Sequence, residues 1–134
     1  MDRVFLDANV IFSAAYNPGS RIGSLWRLRG LKLFTSDYAL AEVVRNLQSK
    51  SPSRVLSLAG LLSRMSVIAS PTITQSRVPG DLPSKDEPIL QAAIACRANY
   101  LLTGDADFVF CFGRVIDGVL ILRPADYLLL REGD

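Results

Sequence analysis

Two apolar runs without alternation, Val4-Phe5-Leu6 and Tyr100-Leu101-Leu102-Thr103, have the pattern of strands covered on both faces in a parallel sheet. Leu31 to Thr35, Val67 to Ala69 and Val119 to Leu122 read as the remaining strands. Helical patterns fill the intervals. Val10 to Ala15 predicts a helix ended by Asn17-Pro18-Gly19-Ser20, and Ser24 to Arg29 a short one closed by Gly30. Ser36 caps a longer helix running to about Gln48, with Leu40, Val43, Val44 and Leu47 as its apolar stripe. By that period Glu42 lies across from the stripe and reads as a solvated glutamate. Ser51-Pro52 starts another helix whose apolar face is Val55, Leu58, Leu62 and Met65. Lys85-Asp86-Glu87-Pro88 opens a helix to about Ala98, and Pro124 one carrying Leu128 and Leu129. Val109 to Phe112 reads as apolar filler, Gly118 as a turn, and Pro71 to Pro83 as the one long irregular segment.

Alternating strands and helices imply a three-layer α/β/α fold with a four- to five-stranded parallel sheet and right-handed crossovers. Residues 1–134 read as a single domain. In such a fold the first and fourth strands can be neighbours at the switch point, where ligands bind beyond the carboxyl ends of the strands. Both of these strands end in acid: the first in Asp7-Ala8-Asn9, the fourth in Gly104-Asp105-Ala106-Asp107. An acid after a strand is often only a helix cap, and Asp86, in the first turn of its helix, fits the ordinary preference for acids near a helix N-terminus. The pairing of Asp7 with Asp105, with no glycine-rich loop to cradle a phosphate, points instead to metal ligands.

Composition narrows the chemistry further. The chain has no histidine, which removes the usual general base and the commonest zinc ligand together. Cys96 and Cys111 form no Cys-x-x-Cys pair and read as reduced core residues. Catalysis then falls to carboxylates, hydroxyls or a cation held by hard oxygens, and magnesium or manganese fits. Net charge is only +2, but the basic side is almost all arginine. Arg21, Arg27, Arg29, Arg45, Arg77 and Arg114 could line an acidic polymer, although an excess of this size is commonly just a solvated surface. A hydrophobic share of 49% predicts a globular core. No stretch reaches a membrane span and Met1-Asp2-Arg3 runs straight into a strand, so no membrane or signal segment is expected and the cytoplasm is the expected location.

In the order and context of these motifs the chain resembles the PIN-domain family, and within it the small prokaryotic VapC-like toxins of toxin-antitoxin operons. The resemblance is carried by Val4-Phe5-Leu6-Asp7-Ala8-Asn9-Val10, Ser36 through Glu42, Asp86 leading into Ala92-Ala93, and Leu102-Thr103-Gly104-Asp105-Ala106-Asp107-Phe108, and it spans nearly the whole chain. Ile121 to Leu128 also resembles the end of a PIN subgroup of toxin components. Carried over, the family's acidic pocket falls on Asp7, Glu42, Asp86 and Asp105, with Asp107 as a fifth member and Asn9 and Thr103 as polar supports. Asp7, Asp86 and Asp105 are the expected metal ligands. The resemblance implies a Mg2+- or Mn2+-dependent ribonuclease acting on an RNA substrate, often a homodimer and usually held inactive by a cognate antitoxin protein.

Two other readings are weighed against it. A phosphatase of the haloacid dehalogenase type also ends its first strand in aspartate, but needs a second acid where this chain has Asn9 and another where it has Val109. A PIN-like module without catalysis, serving as an RNA- or protein-binding scaffold, is disfavoured because every matched acid is present.

Overall fold

The computed structural model describes residues 1–71, 80 and 82–132. Among these residues six strands form one sheet, in the order β3-β2-β1-β4-β6-β5. The strands are β1 (Asp2–Leu6), β2 (Leu31–Ser36), β3 (Met65–Ile68), β4 (Tyr100–Leu102), β5 (Val115–Ile116) and β6 (Val119–Leu122). The helices are α1 (Ala8–Tyr16), α2 (Asp37–Lys50), α3 (Val55–Leu62), α4 (Glu87–Ala95) and α5 (Pro124–Glu132). Val4, Phe5 and Leu6 are wholly buried, as are Leu101 and Leu102, which is why these central strands read as continuous apolar runs. The fold is the expected three-layer α/β/α arrangement. No described helix is long and apolar enough to cross a membrane.

From β1 the chain builds the sheet outward through β2 to β3, then returns to place β4 on the other side of β1. This reversal makes a switch point between the carboxyl ends of β1 and β4, and positions whatever follows Leu6 beside whatever follows Leu102. Leu6 pairs in register with Leu102, and the Asp7 N–H donates to the Leu102 carbonyl at 3.0 Å. The acids after the two strands are therefore neighbours by register.

The structure differs from the sequence reading at several edges. The sheet gains a sixth strand, the two-residue β5, which pairs antiparallel with β6. Asp117 and Gly118 link the two with positive φ angles of 48° and 84°, the hairpin geometry that an Asp-Gly pair favours. β3 spans Met65–Ile68 rather than Val67 to Ala69, because α3 stops at Leu62 and Met65 pairs with Leu33. The segment read as a helix from Ser24 is a 3-10 helix at Ile22–Arg27, and α1 begins at Ala8 because Asp7 caps it. Most of the Pro71 to Pro83 segment, Arg77 included, lies outside the described residues.

At the far end of the sheet, α5 is tied to β1. The buried Tyr127 hydroxyl donates to Asp2 at 2.8 Å and accepts from Arg131 at 2.9 Å.

Candidate active site

Asp7 leaves β1 with extended backbone and its carboxylate turned back over the start of α1. One oxygen accepts from the Ala8 N–H at 2.7 Å. The other accepts from the Thr103 hydroxyl at 2.7 Å, and the Asn9 amide lies at 3.5 Å from it. Thr103 Oγ1 in turn accepts from the Asp105 N–H at 3.1 Å, and Asn9 Oδ1 from the Gly104 N–H at 2.9 Å. Asn9 and Thr103 thus stitch the loop after β4 to the start of α1 and hold Asp7 fixed. The capping role of Asp7 is real, and only one of its oxygens is used for it.

Asp105 makes the turn after β4, its carboxylate accepting from the Asp107 N–H at 2.9 Å. Asp86, immediately before α4, faces this turn. One carboxylate oxygen from each of Asp86, Asp105 and Asp107 lies within 4.8 Å of the other two. On its other side Asp105 shares a cavity of about 330 Å³ with Asp7, Asn9 and Glu42. Asp105 is the member common to both acid groups.

The electrostatics follow from burial. Asp7 is 3% exposed and Asp86 6%. Burial pushes the Asp7 carboxyl up to about 6; the Thr103 and Ala8 hydrogen bonds oppose the shift, and the charges of Glu42 and Asp105 add to it. Burial, then the charge of Asp105 and the hydrogen bond with Asp107, lift Asp86 to about 7. Lys85 works the other way. Its ammonium lies 3.0 Å from Asp107 and, with the Asp86 hydrogen bond, holds that carboxyl below its usual range.

Whether this donor set suits a cation is decided by one atom. Asp86 Oδ2 is buried and has no hydrogen-bond partner among the described residues, a costly condition for a carboxylate oxygen. The Asp86 carboxylate lies against those of Asp105 and Asp107, with the Lys85 ammonium paired to Asp107 alone among the three, so a cation would supply the partner this oxygen lacks. A set of hard anionic oxygens favours magnesium or manganese over softer ions.

Glu42 corrects the periodicity reading. The buried stripe of α2 is Ala39, Val43 and Leu47, and Glu42 lies at its edge, half-buried and lining the cavity rather than solvated. The α2 helix packs on α1 as well as the core, so its covered arc is wider than its apolar stripe. Three cavity residues escaped the sequence reading: Phe12, Asn46 and Lys50. Glu42, Asn46 and Lys50 stand at i, i+4 and i+8, so a polar stripe beside the apolar one was the available signal.

The PIN domain family model matches residues 3–107, most of the chain and all five acids. None of the curated proteins matches the sequence. Among solved structures, a chain of VapBC2 from Rickettsia felis, bound to a DNA fragment from their promoter, superposes with a TM-score of 0.67 at 18% identity, covering 90% of this chain and 98% of that one. The family match takes in both acid-tipped strands and the α4 start that the fold assembles at one sheet edge, and this chain belongs to the PIN-domain family.

Proposed function

We propose that the chain is a divalent-metal-dependent ribonuclease that works in the cytoplasm as the toxin of a toxin-antitoxin pair. The single observation that carries the catalytic part is the buried, unpartnered Asp86 Oδ2 inside a cluster of carboxylates at the switch point. Asp86 and Asp105 would hold the ion, with Asp7 and Asp107 on either side and Glu42 on the cavity wall. When bound, magnesium or manganese would supply a positive charge for the scissile phosphate and a more acidic water at neutral pH. Thr103 and the Ala8 N–H would keep the Asp7 carboxylate from rotating in the cavity it lines. Lys50, on the same wall, attracts the phosphate backbone without reading sequence. With no histidine, the chain would rely chiefly on carboxylates to arrange water and ion.

The toxin part is supported by the likeness to a chain of a VapBC complex, and a cognate antitoxin and a homodimeric state belong to the same reading. The test is cleavage of a panel of single-stranded and hairpin RNAs by the purified, partner-free chain in magnesium, manganese and chelator, with Asp105→Asn as control. Cleavage that needs metal and Asp105 is expected. Intact RNA in both ions would overturn the nuclease reading.

A further inference from the structure

A second cavity, of about 270 Å³, lies across Gly104 from the acids. Ile22, Pro124, Ala125 and Leu128 give it apolar walls, and two exposed arginines, Arg21 and Arg123, complete its lining. Gly104 borders both cavities. Gly104 puts no side chain between them, and a Cβ at that position would come within 3.6 Å of Asn9 Oδ1. The parallel pairing of β4 with β6 explains the proximity, because Thr103 and Arg123 both leave the same edge of the sheet.

We propose that this second cavity is a nucleobase subsite for the single-stranded RNA whose backbone crosses the acids, with Arg21 and Arg123 holding the flanking phosphates. The inference deepens the nuclease reading and rests on it for the position of the backbone. The volume falls near the lower end of small-molecule sites, which run from ~300 Å³ upward, so it suits one flat ring system and not a helix. The charges are complementary to a polyanion and are available. Among the described residues Arg21 pairs with Glu132, at 3.0 Å with both side chains more than half exposed, a pairing that water weakens and a phosphate can replace. Arg123 is already ordered, its guanidinium 3.9 Å from the centre of the Phe112 ring. Apolar walls beside arginines recognise a base by its faces, so selectivity should be for single strands and for ring size more than for base edges.

The experiment uses fluorescence anisotropy with RNA hexamers in calcium, each carrying one abasic position in turn, on wild type, Ala125→Leu and Arg123→Gln. Ala125 is exposed in the first turn of α5, so leucine there fills the cavity while keeping a good helix former. In wild type, one abasic position should weaken binding about tenfold, in line with the ~1–3 kcal/mol of one stacked base. Ala125→Leu should lose about the same factor on intact RNA and be indifferent to that abasic position. Arg123→Gln should flatten the salt dependence by ~0.7 log units per log of salt. Ala125→Leu that binds and cuts RNA as wild type does would overturn the subsite while leaving the nuclease reading intact. Pocket-dependent binding without cleavage would do the opposite. Failure of wild type to bind any hexamer, or displacement only by a short acidic leucine-bearing peptide, would overturn the subsite in favour of a protein partner or none.

Discussion

Replacing Asp86 by asparagine should make the metal-free protein more stable, and by an amount that depends on pH. In the folded state this carboxyl titrates at about 7 instead of 3.8, so the native form keeps a proton that the unfolded chain has already lost. A folded-state value above the unfolded one means that wild-type stability falls as pH rises from about 4 through about 7. Each unit corresponds to ~1.4 kcal/mol, which puts the full cost of ionising Asp86 at ~4 kcal/mol by pH 8. Rearrangement around Asp105, Asp107 and Lys85 relieves part of it, and about 2 kcal/mol is the expected gain. Asparagine resembles the protonated acid: it can still donate to Asp107, and it leaves the orphaned oxygen position no worse served than before. The gain should vanish near pH 4. The assay is urea unfolding in chelator at pH 4.5, 6, 7 and 8, comparing the difference between the two proteins, since Asp7 contributes its own pH dependence to both. Saturating magnesium should reverse the order, because a ligand that binds only the native wild type adds stability by mass action. A difference that stays the same at every pH, or a variant still the more stable in saturating magnesium, would refute the reasoning.

Asp7→Asn should stabilise the metal-free protein less, by about 1 kcal/mol at pH 7.5, because relief of a group raised to about 6 is offset by the disturbed Thr103 bond; RNA cleavage should fall by orders of magnitude, and an unchanged cleavage rate would remove Asp7 from the site. Lys85→Met should tighten magnesium binding several-fold by calorimetry, since the ammonium 3.0 Å from Asp107 competes with any ion for that carboxylate; weaker binding would show that Lys85 supports the site instead. Tyr127→Phe should cost about 1–2 kcal/mol in a melt and leave RNA cleavage unaltered, because the hydroxyl serves Asp2 and Arg131 at the amino end of β1. Loss of cleavage by a folded Tyr127→Phe would mean that the two ends of the sheet are coupled.

The sequence made the centre of the molecule legible and its edges less so. Val4 to Leu6, Leu101 and Leu102 are buried, and a strand covered on both faces has to be apolar throughout, so its pattern survives without context. The same burial made Asp7 and Asp105 stand out, since an acid at the end of such a strand has one direction in which to point. β5 was missed because a two-residue edge strand has no period to detect, although Asp117-Gly118 carried the hairpin signal. Glu42 was misplaced by a rule that divides a helix into one buried face and one wet one. A helix that lines a cavity has a third kind of face, polar and half-covered. Glu42, Asn46 and Lys50 share one.

Placing Asp86, Asp105 and Asp107 so close lowers the stability of the empty protein, and the surrounding structure shows how the chain tolerates this. The acids are anchored at three places: Asp86 before α4, Asp105 and Asp107 in the turn after β4, Asp7 at the cap of α1. No single element carries the whole repulsion. Most of their backbone and side-chain bonds, from the Ala8 N–H, the Thr103 hydroxyl and the Asp107 N–H, hold the carboxylates by groups that cannot drift away from them. Asp86 Oδ2 is the exception, since no described residue gives it a hydrogen bond. A protein built only for stability would replace that oxygen with a methyl group or bring a donor to it. The adjacent Lys85 pairs with Asp107 instead, and in the nuclease reading a cation would serve the buried oxygen. Charge repulsion and an unsatisfied acceptor at one point, with a rigid sheet beneath, are the physical conditions for binding an ion more tightly than a relaxed site would.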